Sequence, residues 1–195
     1  MRAYLFPGQG SQCRGMGKEL FALFPDYTAQ ANELLGYSIE ALCVEDAQQQ
    51  LNKTEYTQPA LYIVNALTYL SLIKETNQKP DYVAGHSLGE YNALFAAEAF
   101  DFITGLTLVQ KRGELMSKAK GGAMAAVLGL SFAQLTHILE EHQLTTITVA
   151  NYNSYQQLVI SGPKITMEQV GSLLTSLKDV TFIPLSVSGA FHSPY

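Results

Sequence analysis

The chain has 195 residues, of which 47% are hydrophobic and 15% charged, so it can bury a sizeable core and is not intrinsically disordered. Twelve Lys and Arg against 17 Asp and Glu give a net charge of −5, which argues against nucleic-acid binding because that requires a basic face. The two cysteines, Cys13 and Cys43, have no metal-ligand spacing, which argues against a disulfide scaffold and a structural zinc site.

The first 119 residues are predicted to contain two short strands and several helices. A short buried strand, Ala3–Phe6, ends at a glycine-containing loop, and a second strand, Tyr82–Gly85, follows Pro80. Pro59 is assigned to the first turn of a long helix, the position that proline tolerates best. Helices are predicted at 16–35 with a break near Pro25, at 38–51, from 57 to about 79, from 89 to 99 and at 101–119.

From Gly122 the pattern changes. Strands are predicted at 122–130, 145–152, 157–161 and 180–187, and helices at 131–142 and 166–177, with Ser131 as the N-cap of the first. The order β-α-β-β-α-β is typical of a ferredoxin-like unit. The sequence therefore predicts a small ferredoxin-like lobe, 122–188, inserted into a larger α/β lobe formed by 1–121 and 189–195.

The main chemical signal is the segment Gly85-His86-Ser87-Leu88-Gly89, which has a strand before it and a helix after it. This is the context that a nucleophile elbow requires, because the sharp turn projects the serine hydroxyl out of the sheet. The N-terminus of the following helix offers N–H groups and a positive dipole to a developing oxyanion. Ser87 is therefore the candidate nucleophile.

A serine nucleophile needs a base, and the chain has four histidines. His137 and His142 lie in a polar helix and are interpreted as surface residues, and His86 is interpreted as a hydrogen-bonded structural residue. His192 directly follows the last strand and is the candidate base. Because residues 181–195 contain no Asp or Glu, either the third member of a triad lies elsewhere or a neutral acceptor orients the imidazole.

Arg112 lies in a predicted helix, and its residue pattern leaves two interpretations open. It is either a solvated arginine paired with a nearby glutamate or a buried guanidinium that binds a substrate carboxylate through two hydrogen bonds. The sequence alone favours the first interpretation, since most helical arginines are solvated.

These segments together resemble the malonyl-CoA:acyl carrier protein transacylase family, and above all the discrete, trans-acting acyltransferases of bacterial polyketide synthases. The resemblance covers the whole chain. It is carried by FPGQGSQ at 6–12, TQPA at 57–60, GHSLGEY at 85–91, KRGELM at 111–116, GAMAA at 122–126, ANYN at 150–153, VISG at 159–162 and GAFHS at 189–193.

The resemblance implies an α/β-hydrolase-like large lobe with an inserted ferredoxin-like small lobe, and roles for the matching residues. Ser87 would carry the malonyl ester, with His192 as general base. The backbone N–H groups of Gln9 and Leu88 would form the oxyanion hole, and Arg112 would bind the malonyl carboxylate. The acyl pocket would be formed by Phe191, Asn153 and His86, with Phe191 the variant associated with malonyl over methylmalonyl selection.

The family pattern continues beyond the base histidine, so the chain is expected to be truncated at its C-terminus. The carbonyl acceptor that orients His192 is accordingly expected beyond Tyr195.

The resemblance also implies partners and location. The substrates are malonyl-CoA and the phosphopantetheine arm of an acyl carrier protein or carrier domain, and no metal or redox cofactor is expected. Because carrier proteins are acidic, Lys111, Lys118 and Lys120 are candidates for a local basic patch. No apolar run approaches the roughly 20 residues needed to cross a bilayer, and no signal peptide is recognisable, so a cytoplasmic protein is predicted.

The predicted function is transfer of malonyl from malonyl-CoA to a carrier protein thiol through a seryl ester, for polyketide or fatty-acid synthesis. Two alternatives stay open at this point. An acyl hydrolase that clears stalled chains from carrier proteins would share Ser87 and His192 but would not need Arg112. A non-catalytic fragment that docks a carrier protein would need neither Ser87 nor His192.

Overall fold

The structure, a computed structural model, describes residues 1–187 and 189–195. The chain divides into two compact units, Met1–Ser117 and Lys118–Tyr195. The second unit begins four residues before the predicted small lobe and also includes residues 189–195, which the sequence analysis assigned to the large lobe. Part of the reason is that a Cβ at Gly122 would lie 2.0 Å from the amide nitrogen of Ala190, so these two segments are packed together. Ser188, where the predicted small lobe ends, lies outside the described residues.

The first unit is a two-stranded parallel sheet combined with six helices in its described residues. Strand β1 pairs with β2 in a register that runs from Ala3 opposite Tyr82 to Phe6 opposite Gly85. The elements are β1 (Ala3–Phe6), α1 (Lys18–Leu23), α2 (Pro25–Leu35), α3 (Ile39–Val44), α4 (Thr54–Thr76), β2 (Tyr82–Gly85), α5 (Gly89–Ala96) and α6 (Phe102–Lys118). The last residue of α6 belongs to the second unit.

Helix α4 is the central element of this unit. Every residue from Thr57 to Ile63 is buried, which is the pattern of a helix surrounded by protein. The helix begins at Thr54 and not at Thr57, so the prediction that Pro59 lies in the first turn is wrong. The proline removes one backbone hydrogen bond inside the helix, and burial on all sides keeps the helix continuous.

Helix α3 is shorter than the predicted helix 38–51 because an aspartate ends it. Asp46 adopts a φ of 45°, and its carboxylate accepts hydrogen bonds from the backbone N–H groups of Gln50 and Leu51 at 2.7 and 3.0 Å. Such local side-chain bonds compete with helical ones, so the chain turns here before α4 begins.

The described residues of the second unit form an antiparallel sheet of four strands in the order β4-β5-β3-β6. The elements are β3 (Gly122–Leu128), α7 (Phe132–Glu141), β4 (Thr148–Ser154), β5 (Gln157–Pro163), α8 (Lys164–Thr175) and β6 (Thr181–Pro184). This is the predicted succession of elements, with ends that differ by three residues at most. The core of the unit joins the sheet to both helices through Leu135, Leu139, Ile160, Val170 and Leu174.

Ser131 caps α7 as predicted, and the cap allows a stability test. Its hydroxyl accepts a hydrogen bond from the backbone N–H of Gln134, while the side-chain oxygen of Gln134 accepts one from the backbone N–H of Ser131 at 2.9 Å. Ser131→Ala is expected to lower the free energy of unfolding by about 1 kcal/mol, measured by urea denaturation. Ser172→Ala, on the exposed face of α8, is the control and should change stability by much less. Equal effects would contradict the capping role.

Candidate active site

The segment between β2 and α5 forms a sharp turn with Ser87 at its apex. Ser87 adopts a φ of 51°, a left-handed conformation that costs a non-glycine residue about 1–3 kcal/mol and persists only where the surroundings enforce it. The turn is held by backbone hydrogen bonds from His86 N to Phe6 O at 2.9 Å and from Gly89 N to His86 O at 3.0 Å. The local geometry is that of a nucleophile elbow.

Three glycines allow the turn to close tightly on itself and to pack against the end of β1 and the loop that follows it. A Cβ at Gly85 would lie 1.9 Å from the carbonyl carbon of Gly89, and one at Gly89 would lie 2.1 Å from the oxygen of Phe6. A Cβ at Gly8 would lie 2.4 Å from the oxygen of His86. Backbone therefore meets backbone at all three positions, and no side chain fits between them.

Gly89→Ala is expected to destabilise the protein by about 3 kcal/mol or more, because the new methyl group meets backbone atoms that cannot rotate away. The control is Gly36→Ala, where φ is +77° and no atom lies within 4 Å of the place that the new methyl group would occupy. That change should cost only the backbone strain of about 1–2 kcal/mol. Thermal and urea unfolding of both variants test this expectation, and a Gly89→Ala variant no less stable than the control would contradict it.

Arg112 of α6 contacts the elbow directly. Its Nη2 donates a hydrogen bond to the Ser87 hydroxyl at 3.0 Å, and its Nη1 donates to the side-chain oxygen of Gln58. The guanidinium also lies 5.9 Å from the ring centroid of Tyr91, within the range of a cation–π interaction. The side chain is half-buried, and burial lowers the pKa of the Arg112 guanidinium, although arginine remains protonated in proteins.

No carboxylate among residues 1–187 and 189–195 forms an ion pair with Arg112. The neighbouring Glu114 pairs instead with Lys111, at 2.9 Å. Arg112 is therefore not the solvated, glutamate-paired arginine of the first interpretation. The neighbouring Lys111 is the side chain that pairs with the glutamate. Within the described residues, a half-buried positive charge stands beside the elbow serine and bonds to neutral side chains.

Gln58 and Gln9 extend this contact away from the elbow. The Gln58 side-chain nitrogen donates to the Gln9 side-chain oxygen at 2.8 Å, and the Gln9 side-chain nitrogen donates to the Thr54 hydroxyl at 3.3 Å. Gln58 is only 1% exposed. Sequence reasoning used Gln58 only as part of a motif; a glutamine inside an apolar helical stretch was the available signal.

Two buried asparagines, which sequence reasoning also missed, join the elements around the elbow. Asn65 of α4 donates to the carbonyl oxygen of Pro7 at 3.1 Å and to the side-chain oxygen of Asn92 at 3.2 Å. Asn92 of α5 donates in turn to the carbonyl oxygen of Tyr62 at 2.8 Å. This pair fixes the loop after β1 against the two helices that flank it.

The two predicted oxyanion-hole residues lie on either side of the contact between the loop after β1 and the elbow. Leu88 is fully buried and immediately precedes α5, where the first N–H groups have no intrahelical acceptor and the helix dipole is positive. Gln9 lies in the loop whose glycine, Gly8, packs on His86. His86 itself is exposed. The oxyanion role of the two N–H groups stays a prediction.

The remaining predicted site residues belong to the second unit. His192 is exposed and adopts a φ of 57°, and the ring of Phe191 folds over Gly189, 2.6 Å from where a Cβ would lie. Asn153 is exposed in β4, where the pairing with β5 shifts register between Tyr152 and Ser154. In the first unit, Ser87 and Arg112 are in direct contact, and Gln9 is joined to them through Gln58.

The described residues contain no group of three or more His, Cys, Asp or Glu side chains that could hold a metal ion. In the same part of the chain, no helix combines the length and apolar character needed to span a bilayer. The expectation that no cofactor is required stays a prediction.

Residues 3–195 match the model of the acyl transferase domain family, and the chain belongs to this family. It is 62% identical, over its whole length, to a polyketide biosynthesis malonyl CoA-acyl carrier protein transacylase of Bacillus velezensis, of which it spans 68%. It is 61% identical over its whole length to the polyketide biosynthesis protein PksE of Bacillus subtilis, of which it spans 26%. The family resemblance seen in the motifs is confirmed.

Solved structures of transacylases have the same fold as this chain. A malonyl CoA-acyl carrier protein transacylase from Burkholderia pseudomallei superposes with a TM-score of 0.93 at 52% identity, covering 98% of this chain and 66% of that one. A malonyl-transacylase solved in complex with a type II polyketide synthase acyl-carrier protein gives a TM-score of 0.87 at 36% identity, covering 96% of this chain and 63% of that one. The chain thus has the mixed α/β fold of these enzymes and spans about two thirds of their length.

Proposed function

We propose that the protein transfers a malonyl group from malonyl-CoA to the pantetheine thiol of an acyl carrier protein in polyketide biosynthesis, through an ester on Ser87. The observation that carries the proposal is the half-buried Arg112, which has no ion-pair partner among the described residues and donates to the Ser87 hydroxyl. A neutral acyl group would not need such a charge, whereas a malonyl group brings the carboxylate that complements it. The names of the similar proteins support the same substrate.

The first half-reaction loads the serine. The Ser87 oxygen attacks the thioester carbonyl while His192 takes its proton, and the N–H groups of Gln9 and Leu88 stabilise the tetrahedral oxyanion. Collapse breaks the carbon–sulfur bond, and CoA leaves with the proton from His192. A seryl malonyl ester remains, with its free carboxylate bound to Arg112.

The second half-reaction reverses these steps with another thiol. His192 takes the proton of the carrier's pantetheine thiol, whose sulfur attacks the malonyl ester, and the proton then returns to Ser87. Between the two halves the acceptor of the Arg112 hydrogen bond changes. An ester oxygen carries less negative charge than a carboxylate, so Arg112 would turn from Ser87 to the malonyl carboxylate once the ester has formed.

The two units are proposed to correspond to the two lobes of the family. The elbow between β2 and α5 supports an α/β-hydrolase-like large lobe that contains the first unit, and the strand order of the second unit supports a ferredoxin-like small lobe. Phe191, Asn153 and His86 would line the acyl pocket. Lys111, Lys118 and Lys120 remain candidates for the carrier-protein surface, and a cytoplasmic location remains a prediction.

Intact-protein mass spectrometry after incubation with malonyl-CoA tests the proposal. The expected result is one added malonyl group, which is lost when a carrier protein with a free pantetheine thiol is supplied and appears on that carrier. Rapid release of free malonate without transfer would favour the hydrolase alternative. A protein that takes no acyl group under any condition would favour the non-catalytic alternative.

A further inference from the structure

Three consecutive hydrogen bonds connect the arginine at the elbow to the start of α4. Arg112 donates to Gln58, Gln58 donates to Gln9, and Gln9 donates to Thr54. Of these four side chains, Gln58 is the one that is fully enclosed, with 1% of its surface exposed. None of the roles assigned above requires this glutamine.

The arginine fixes the direction of all three bonds. A guanidinium only donates hydrogen bonds, so the Gln58 atom that faces Arg112 must be the oxygen. The Gln58 nitrogen then faces Gln9 and requires an oxygen there, which leaves the Gln9 nitrogen to donate to Thr54. The guanidinium therefore determines the orientation of both side-chain amides, and Gln9 is linked to Arg112 through Gln58.

The neutrality of Gln58 is as important as its geometry. A glutamate at the same place would accept the same hydrogen bond, but as an ion pair it would cancel the charge of Arg112, and charges interact strongly in a site removed from water. An amide oxygen holds the guanidinium and leaves its full charge available to a ligand.

We propose that Gln58 is a positioning residue that sets the preference of the enzyme for acyl groups with a free carboxylate. Its amide holds Arg112 without neutralising it and aligns the loop that carries Gln9. The inference rests on the proposed function, because it assigns to Gln58 the selection of the same malonyl group.

Gln58→Glu is the direct test. The rate of Ser87 loading, as kcat/KM, is measured with malonyl-CoA and with acetyl-CoA. The malonyl value should fall by about 10- to 100-fold, because the neutralised Arg112 would bind the malonyl carboxylate less strongly. This is the scale of losing one hydrogen bond to a charged group. The acetyl value should change much less, because rotation of the Gln9 amide by half a turn lets it donate to the new carboxylate and accept from Thr54.

A double variant and a control identify the route of the effect. In an Arg112→Ala background, Gln58→Glu should cause little further malonyl-specific loss, because residues that act through one contact are non-additive. Gln78→Glu, at an exposed position after α4, adds the same charge and should leave both rates unchanged. Additive losses in the double variant would overturn the inference.

Gln58→Met keeps the test decisive if the glutamate variant does not fold, as judged by circular dichroism. Methionine fills a similar space but accepts no comparable hydrogen bond, so both rates should fall and the malonyl rate should fall further. An unchanged ratio of malonyl to acetyl loading in a folded Gln58 variant overturns the inference alone. A wild-type protein that takes no malonyl group overturns the proposed function and this inference with it.

Discussion

Ser87→Ala is expected to abolish malonyl loading while leaving the fold intact. The ester has no other attachment point at the elbow, and loss of the nucleophile in a serine acyl-transfer enzyme costs about 10⁴-fold or more in rate. Alanine tolerates the left-handed backbone at this position about as poorly as serine does, so the melting temperature should change little. The measurement is covalent label from radiolabelled malonyl-CoA.

The control for this variant is Ser117→Ala, which removes an exposed hydroxyl that donates to the Glu114 carbonyl within α6. It should load malonyl at the wild-type rate. Label retained in the Ser87→Ala protein would remove Ser87 from the mechanism, whatever the state of the other residues.

Arg112→Ala is expected to change which acyl group is accepted more than it reduces catalysis. Loss of a desolvated, charge-assisted contact costs about 2–5 kcal/mol, so malonyl loading should fall by about 30-fold or more. The acetyl group of acetyl-CoA has no free carboxylate and does not make this contact, so acetyl loading should fall far less or rise. The ratio of the two kcat/KM values is the measurement.

Lys111→Ala is the matched control, since it removes the adjacent positive charge from the same helix. Lys111 is exposed and paired with Glu114, and such surface pairs contribute about 0–1 kcal/mol. It should leave the acyl preference unchanged. If Arg112→Ala reduces malonyl and acetyl loading in equal proportion, the role of Arg112 is structural.

The elbow could be predicted from sequence because its determinants are local. A strand, a Gly-His-Ser-Leu-Gly turn and a helix start lie within twelve residues, and the glycines mark where backbone atoms approach closely. The cap at Ser131 was predictable for the same reason, since its partner is three residues away.

The start of α4 and the length of α3 were predicted wrongly, because tertiary burial and the Asp46 turn outweigh the local pattern of helical residues. The Arg112 and Gln58 contacts were beyond sequence reasoning for a related cause. Arg112 meets Gln58 across 54 residues of chain, and Gln58 meets Gln9 across 49. No periodicity or spacing reports which distant polar groups a fold brings together.

The backbone contacts at Gly8, Gly85 and Gly89 divide the site into parts that laboratory evolution can and cannot change. In a mutant library aimed at new acyl groups, variants with any side chain at these three positions would fold poorly, because a Cβ there meets backbone atoms. Tyr91 and Arg112 contact each other and the elbow through their side chains, so substitutions there leave the backbone contacts of the turn in place. Libraries built on this protein should therefore keep the glycines fixed and concentrate diversity at side chains beside Ser87, such as Arg112.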